Sequence, residues 1–318
     1  MARRALALLA LLACGFAQAQ NYPEHPVRII IGFPPGAGSD TMGRFMARGL
    51  GELWKQPFVV ENRAGAGGNI AAQAVAQAKP DGYTLLLYNN SYAMNVATSK
   101  TVPFDISRDL VPVGTVAISS MLVIVNKDVP ARSIKELVAL AKAKPGTLNV
   151  GSSGIGTPQH LAAELFKSMA NVEMTHVPYK GAIPSLTGLM GNEIQVLFGP
   201  TGSVLPFVRD GRVRAVGITT PSRAAEFPDL GTVAEAGYDG FDVAVIYGLM
   251  APRGTPPEIV RKIARDLSTL LEDAANIKFI SAAGLVPTRM SPEAFDKQVK
   301  DEVARWLSVG KKANLQRD

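Results

Sequence analysis

An α/β fold with parallel sheets wound by helices is the class this sequence predicts, and three observations carry the prediction. From residue 27 onward, short runs rich in β-branched residues alternate with segments of amphipathic helical spacing. The apolar density of the strand runs suits sheets covered on both faces. Three times a strand run leads through a Gly/Ser/Thr-rich turn into a helical pattern: GFPPGAGSD (32 to 40), ENRAGAGGN (61 to 69) and GSSGIGTPQ (151 to 159).

The first element is not part of that fold. MARR supplies a positive start, ALALLALLA an apolar stretch and Ala17-Gln18-Ala19 a small-residue cleavage site, so residues 1–19 read as a signal peptide removed on export. The apolar run from Ala5 to Ala13 is about half of the roughly 20 residues a spanning helix needs. Leu11-Leu12-Ala13-Cys14 loosely resembles a site of lipid attachment, but general export is favoured over a lipoprotein. Cys14 is the single cysteine and leaves with the peptide, so stability is expected from the cores without disulfides.

Strands are expected at VRIII (27 to 31), FVVEN (58 to 62), TLLLY (84 to 88), MLVIV (121 to 125), LNVGS (148 to 152), IQVLF (194 to 198) and VRAVGIT (213 to 219). Helix starts announce themselves chemically. Ser133-Ile134-Lys135-Glu136 and Thr255-Pro256-Pro257-Glu258 match a capping box, and Thr157-Pro158 and Ser291-Pro292 set a cap before a first-turn proline. Ile259, Ile263, Leu267 and Leu270/Leu271 form one apolar stripe, and Phe295, Val299, Val303 and Leu307 another, both expected in the core.

With 318 residues, 47% of them hydrophobic, the chain has material for about two domains of roughly 150 residues each. Its formal charge of +6 falls to +4 once Arg3 and Arg4 leave, and no dense basic run appears, so nucleic acid is not an expected partner. The glycine loops bring backbone amides at helix starts toward an anion, yet they are not nucleotide loops. Thr41 and Ile70 stand where a dinucleotide fingerprint needs its third glycine, and no Gly-Lys-Ser/Thr ending occurs. Gly151-Ser152-Ser153-Gly154 fails as a nucleophile elbow because Ile155 replaces the required glycine. His160 and His176 read as structural, His160 bordering a ligand at most. Three histidines without metal-binding spacing leave no expected metal, and no cofactor is expected.

Several stretches in order resemble the solute-binding receptors of tripartite tricarboxylate transporters, the TctC-like or Bug receptors: FPPGAGSD, VVENRAGAGGNIAAQAVAQAKPDGYTLLL, GTPQHLAAELF, HVPYKGAIPSLTGLMGNEIQVLF, GRVRAVGIT, TVAEAGY and YGLMAPRGTP. The resemblance covers the exported chain and implies a type II periplasmic-binding-protein fold, two doubly wound lobes with a ligand cleft between them. The chain would cross near residues 121 and 247, with lobe 1 formed by 20–121 and 248–318 and lobe 2 by 122–247. It further implies a periplasmic, non-enzymatic monomer that closes on a small carboxylate and delivers it to membrane permease subunits. Presentation of the loaded surface to a sensor kinase is the alternative.

Carried over by position, Pro35, Gly36, Ala37, Gly38, Ser39 and Asp40 would form the first ligand loop, with Asp40 orienting its helix instead of touching an anion. Ala66, Gly67, Gly68 and Asn69 would support it, and Asn89, Asn90 and Ser91 would add side-chain hydrogen bonds. From the other lobe, Ser152, Ser153, Thr157 and His160 would face the cleft with Tyr179, Lys180, Gly181 and Ser185, and Pro200, Thr201 and Ser203 would complete that wall. The chain departs from the family pattern in GAGSD, in Ile183, expected to narrow the pocket, and in NNSYAMN, whose Asn89 and Asn90 add polar groups.

Overall fold

The computed structural model describes residues 22–36, 38–99, 102–223, 227–312 and 315. Residues 1–19, read from the sequence as a signal peptide and containing Cys14, and the loop residue Ala37 lie outside these.

Among the described residues ten strands make the framework: β1 (Val27–Ile31), β2 (Phe58–Asn62), β3 (Thr84–Tyr88), β4 (Leu110–Asn126), β5 (Asn149–Ser152), β6 (Thr175–Pro178), β7 (Val196–Pro200), β8 (Val213–Ile218), β9 (Ala244–Pro252) and β10 (Val286–Pro287). They are ordered β2-β1-β3-β9-β4-β7-β5-β6, with β8 and β10 also pairing with β4. The β1, β2 and β3 ladders are parallel, as are those joining β5 to β6 and β7. The crossing strands depart from the all-parallel expectation, since β9 runs antiparallel to both β3 and β4.

β4 joins the two halves of the molecule. Its pairing with β9 ends at Ser120↔Ala244, and its pairing with β7 begins at Met121↔Pro200. One continuous 17-residue strand therefore belongs to both sheets. The apolar pattern points to only its second half, because Pro112 and Gly114 argue against a central strand. The register shifts at these residues, and such bulges accommodate what a regular ladder rejects. Gly248 meets Gly114 there, where a side chain on Gly248 would collide with the Gly114 carbonyl.

β1, β2 and β3 occupy the expected residues. IQVLF is shifted: the ladder starts at Val196 and runs to Pro200, while Ile194 is buried just before it. The Ser133 cap forms, its hydroxyl accepting from Glu136 N at 3.2 Å, but the Glu136 carboxylate takes the amide of Arg132 instead of Ser133, at 2.7 Å. The Thr255 box does not form. The helix Pro257–Thr269 is entered through Pro256, and the Thr255 hydroxyl donates back to Pro252 O at 2.8 Å.

The helix Pro257–Thr269 buries Ile259, Ile263 and Leu267. The long helix Pro292–Lys312 packs along β4 and buries Phe295 and Val299. Glu302 and Trp306 of that last helix are buried too, and their surroundings are taken up below.

Candidate ligand-binding cleft

The loop after β1 is shaped by glycine and held by one carboxylate. Gly36 has φ +84°, and a side chain on Gly32 would meet the Tyr92 hydroxyl at 2.6 Å and Gly68 Cα at 2.8 Å, so only glycine lets the first two loops touch. Asp40 accepts from Gly36 N (3.1 Å), Arg44 Nε (3.0 Å) and Asn62 Nδ2 (3.1 Å), and the same Asn62 amide donates to Phe33 O (3.0 Å). Burial alone pushes this carboxyl up, but the hydrogen bonds from Arg44, Gly36 and Asn62 outweigh it and hold the group below the usual range. Its charge is used inside the loop and faces away from the cleft.

Behind the loop, the helix Gly38–Trp54 begins and turns Gly38 and Ser39 into a small cavity of about 50 Å³. Asn89 donates to Ser39 Oγ at 3.0 Å and accepts from Ser91 N at 2.9 Å, so β3 and the first loop are locked together. Ser91 Oγ is fully buried and has no hydrogen-bond partner among the described residues. Lobe 2 adds Ser153, Gly181, Pro200 and Ser203 to the same cavity.

Several lining residues were not among the expected ligand contacts: Phe33, Pro34, Pro158, Gln159, Ala182, Val245 and Tyr247. Phe33, Pro34, Pro158 and Gln159 lie within the quoted loops, whereas Tyr247 arrives only because β9 crosses beneath them. The Gln159 carbonyl oxygen accepts from Ser153 N at 2.7 Å, which leaves its amide nitrogen to donate. Tyr247 is buried, which raises its phenol above the ordinary value, and a side chain on Gly38 would lie 2.6 Å from its hydroxyl. No charged side chain lines this cavity.

A wider groove of about 860 Å³ continues outward, sharing Phe33, Pro34, Ser153 and Gly181 with the inner cavity. Ala66, Gly67, Gly68, Asn69, Thr157, Tyr179 and Lys180 line it, Lys180 as its single charged group. Ala66 and Gly67 have φ of +49° and +63°, and the Asn69 side chain is held by Asn95 Nδ2 at 2.5 Å. The lobes meet across this mouth. A side chain on Gly181 would touch Pro34 at 3.7 Å, one on Gly67 would meet Ile155 O at 3.1 Å, and one on Gly156 would collide with Asn95. The cleft described here is closed.

Other candidates are turned elsewhere. Pro35 and Gly36 shape the loop but line neither chamber, and Asp40 faces the outer surface. Asn90 points to the rear of β9, donating to Ala244 O at 2.8 Å. Ser152 Oγ lies 2.7 Å from His176 Nε2, and His176 stacks on His160 with ring centres 4.0 Å apart. His160 Nδ1 accepts from Gly156 N at 3.2 Å, supporting the loop from below. Ser185 and Thr201 are buried, bonded to Ala182 O (2.8 Å) and Ser120 O (2.9 Å). Ile183 is 49% exposed and lines neither chamber, so it does not narrow the pocket. Among the described residues no cluster of His, Cys, Asp and Glu is placed to hold a metal ion, and no helix is long and apolar enough to cross a membrane.

Two α/β lobes joined by crossing strands and closed over a small cavity define a solute-binding protein of the periplasmic type, and solved proteins of that type share the fold. The chain belongs to the TctC, or Bug, receptors: the family model described as "Tripartite tricarboxylate transporter family receptor" matches residues 42–315. It is 35% identical to protein BugT of Bordetella pertussis over 293 residues, covering 92% of this chain and 90% of BugT. Rpa4515 of R. palustris, solved with adipate, superposes with a TM-score of 0.88 at 34% identity, covering 92% of this chain and 98% of that one. MatC of Rhodopseudomonas palustris, solved with bound malate, superposes at 0.85 with 29% identity, covering 91% and 100%.

Proposed function

We propose that this chain is an exported receptor that captures a small organic dicarboxylate between its lobes and delivers it to the membrane subunits of a tripartite tricarboxylate transporter. The carrying observation is the inner cavity, closed between the lobes and lined by neutral donors with no carboxylate. Ser91 Oγ, the Gln159 amide, the Ser39 hydroxyl and the start of the helix Gly38–Trp54 suit a carboxylate held by dipoles instead of a salt bridge. At about 10–15 Å³ per water, the cavity of about 50 Å³ accommodates one carboxylate end. The remainder of the ligand extends past Phe33 and Gly181 toward Lys180, whose charge suits a second carboxylate.

Lobe 1 is assigned to residues 20–121 and 248–318 and lobe 2 to 122–247, an assignment supported by the change of β4 partners after Ser120. Binding shifts the population toward the closed form, and no bond is made or broken. The adipate and malate bound by the two solved relatives support the ligand class. Residues 1–19 direct export.

Native mass spectrometry of the purified protein, followed by a thermal-shift screen of dicarboxylates from four to eight carbons with and without hydroxyl groups, tests the reading. At least one acid is expected to raise Tm, because binding to the folded state stabilises it. Stabilisation by neutral sugars or amines with none by any acid overturns it, and turnover of the bound acid overturns the receptor assignment.

A further inference from the structure

Successive residues of β9 serve two chambers. Val245 and Tyr247 face the ligand cavity, while Ala244 and Ile246 face a second cavity of about 270 Å³ behind it, as strand alternation requires. The chain before β9 and the helix Pro292–Lys312 supply the rear chamber's Asp242, Gln298, Glu302, Arg305 and Trp306, and Thr220 reaches it from beyond β8. It thus spans the hinge, and rotation of the lobes must reshape it.

Glu302 is an incompletely satisfied acid there. Oε1 receives a long bond of 3.4 Å from Asn90 Nδ2, whereas Oε2 is buried with no hydrogen-bond partner among the described residues. The Trp306 indole nitrogen and the Tyr88 hydroxyl are likewise buried without a hydrogen-bond partner among the described residues. Asn90 sits between Asn89 and Ser91, which line the ligand cavity, and it also donates to Ala244 O of the crossing strand. The carboxyl therefore touches the hinge and the ligand wall through a single side chain.

We propose that Glu302 is a protonation-controlled positioning residue of the hinge: its carboxyl holds its proton more tightly while the lobes are closed, and its ionisation favours opening and weakens ligand binding. The proposal rests on the reading of the chain as a receptor that closes on its ligand. In the closed form burial, reinforced by Asp242, pushes the Glu302 carboxyl up to about 7 against the lowering influence of Asn90, Arg305 and Gln298. Asp242, Arg305 and the Tyr88 phenol are the titratable or charged groups that face it. When opening admits water, the carboxyl returns toward its ordinary 4.5. Between these values the closed form carries one proton more than the open form, so each rise of one pH unit favours opening by up to about tenfold.

The two tryptophans, Trp54 and Trp306, allow a direct test by fluorine NMR of protein labelled with 5-fluorotryptophan. The Trp306 resonance is expected to titrate with a midpoint near 7 and Trp54 to serve as an internal reference. Glu302→Gln abolishes the titration and Asp242→Asn preserves it. X-ray scattering of ligand-free wild type is expected to show expansion from pH 6 to pH 8, absent in Glu302→Gln. With adipate as probe, Kd is expected to be at least threefold weaker at pH 8 than at pH 6 in the wild type and equal at both in Glu302→Gln. A Trp306 resonance that does not titrate in wild type, or identical wild-type scattering at both pH values, overturns the proposal. If adipate binds at neither pH, the dicarboxylate reading is weakened, and the NMR and scattering results still decide the role of Glu302.

Discussion

On one face of β9, Val245 and Tyr247 look into a chamber whose polar groups are all uncharged; on the other, Ala244 and Ile246 look into one that holds Asp242, Glu302 and Arg305. The strand is a wall between recognition and hinge. In the proposed reading, fixed dipoles in the front chamber recognise an anion without a titratable partner, so recognition itself is expected not to change across neutral pH. A charge kept behind the hinge responds to pH without touching the ligand. Asn89, Asn90 and Ser91 show how little sequence separates the two roles, since the outer pair face forward and the middle residue backward.

The largest expected effect breaks the front chamber. Gly38→Leu places Cβ against the Tyr247 hydroxyl, 2.6 Å away, and fills the space beside Ser39. Affinity for adipate, read by calorimetry, is expected to fall at least a hundredfold, about 2.7 kcal/mol, with far-UV dichroism unchanged. Retained affinity would show that the ligand is held elsewhere.

Next comes the rear chamber, read as stability. Because the Glu302 carboxyl is raised from 4.5 to about 7, the native state holds more protons than the unfolded chain between those values. Its contribution is fully present below 4.5 and is lost as pH rises through 7. Urea unfolding of the wild type relative to Glu302→Gln is expected to lose about 2 kcal/mol from pH 5 to pH 7, within the limit of about 1.4 kcal/mol per pH unit for one proton. A constant difference between the two proteins places Glu302 in water.

A smaller effect separates ligand contact from structural support. Ser91→Ala removes a buried hydroxyl that has no hydrogen-bond partner among the described residues. Ligand-free Tm is expected to stay level or rise, because an unsatisfied polar atom is lost, while adipate binding weakens about tenfold, or about 1.4 kcal/mol. A fall in ligand-free Tm would mean that the hydroxyl serves the fold.

The sequence makes the framework legible where local and global demands agree. VRIII, FVVEN and TLLLY are compact apolar runs bounded by turn residues, and each is a strand over those same positions. Agreement fails at Pro112 and Gly114, where bulges permit residues that a regular strand excludes. The glycine loops announce themselves because close approach demands glycine, but the direction of individual side chains does not. Asn90 turns backward because its amide finds Ala244 O, 154 residues away. Glu302 appears as one more polar position on a helix, and only its docking against Asn90 and the chain leading into β9 makes it buried.

Asp40 offers the smallest and most discriminating effect, because it is a carboxylate only two residues from Gly38 whose charge is nonetheless spent within the loop. Arg44, its partner, has a side chain 56% exposed, so Arg44→Ala is expected to leave the urea-unfolding midpoint nearly unchanged. Asp40→Ala costs more, about 1–2 kcal/mol, since the amides of Gly36 and Asn62 lose their acceptor. The Asp40 carboxyl lies below its ordinary 3.8, so its contribution is present above that value and is lost as pH falls through the lower folded one. It therefore supplies no pH dependence between 5 and 8. In Asp40→Asn the adipate Kd is expected to keep the wild-type ratio between pH 6 and pH 8. A changed ratio would place a titrating charge on the recognition side of β9 and remove the division of labour between its faces.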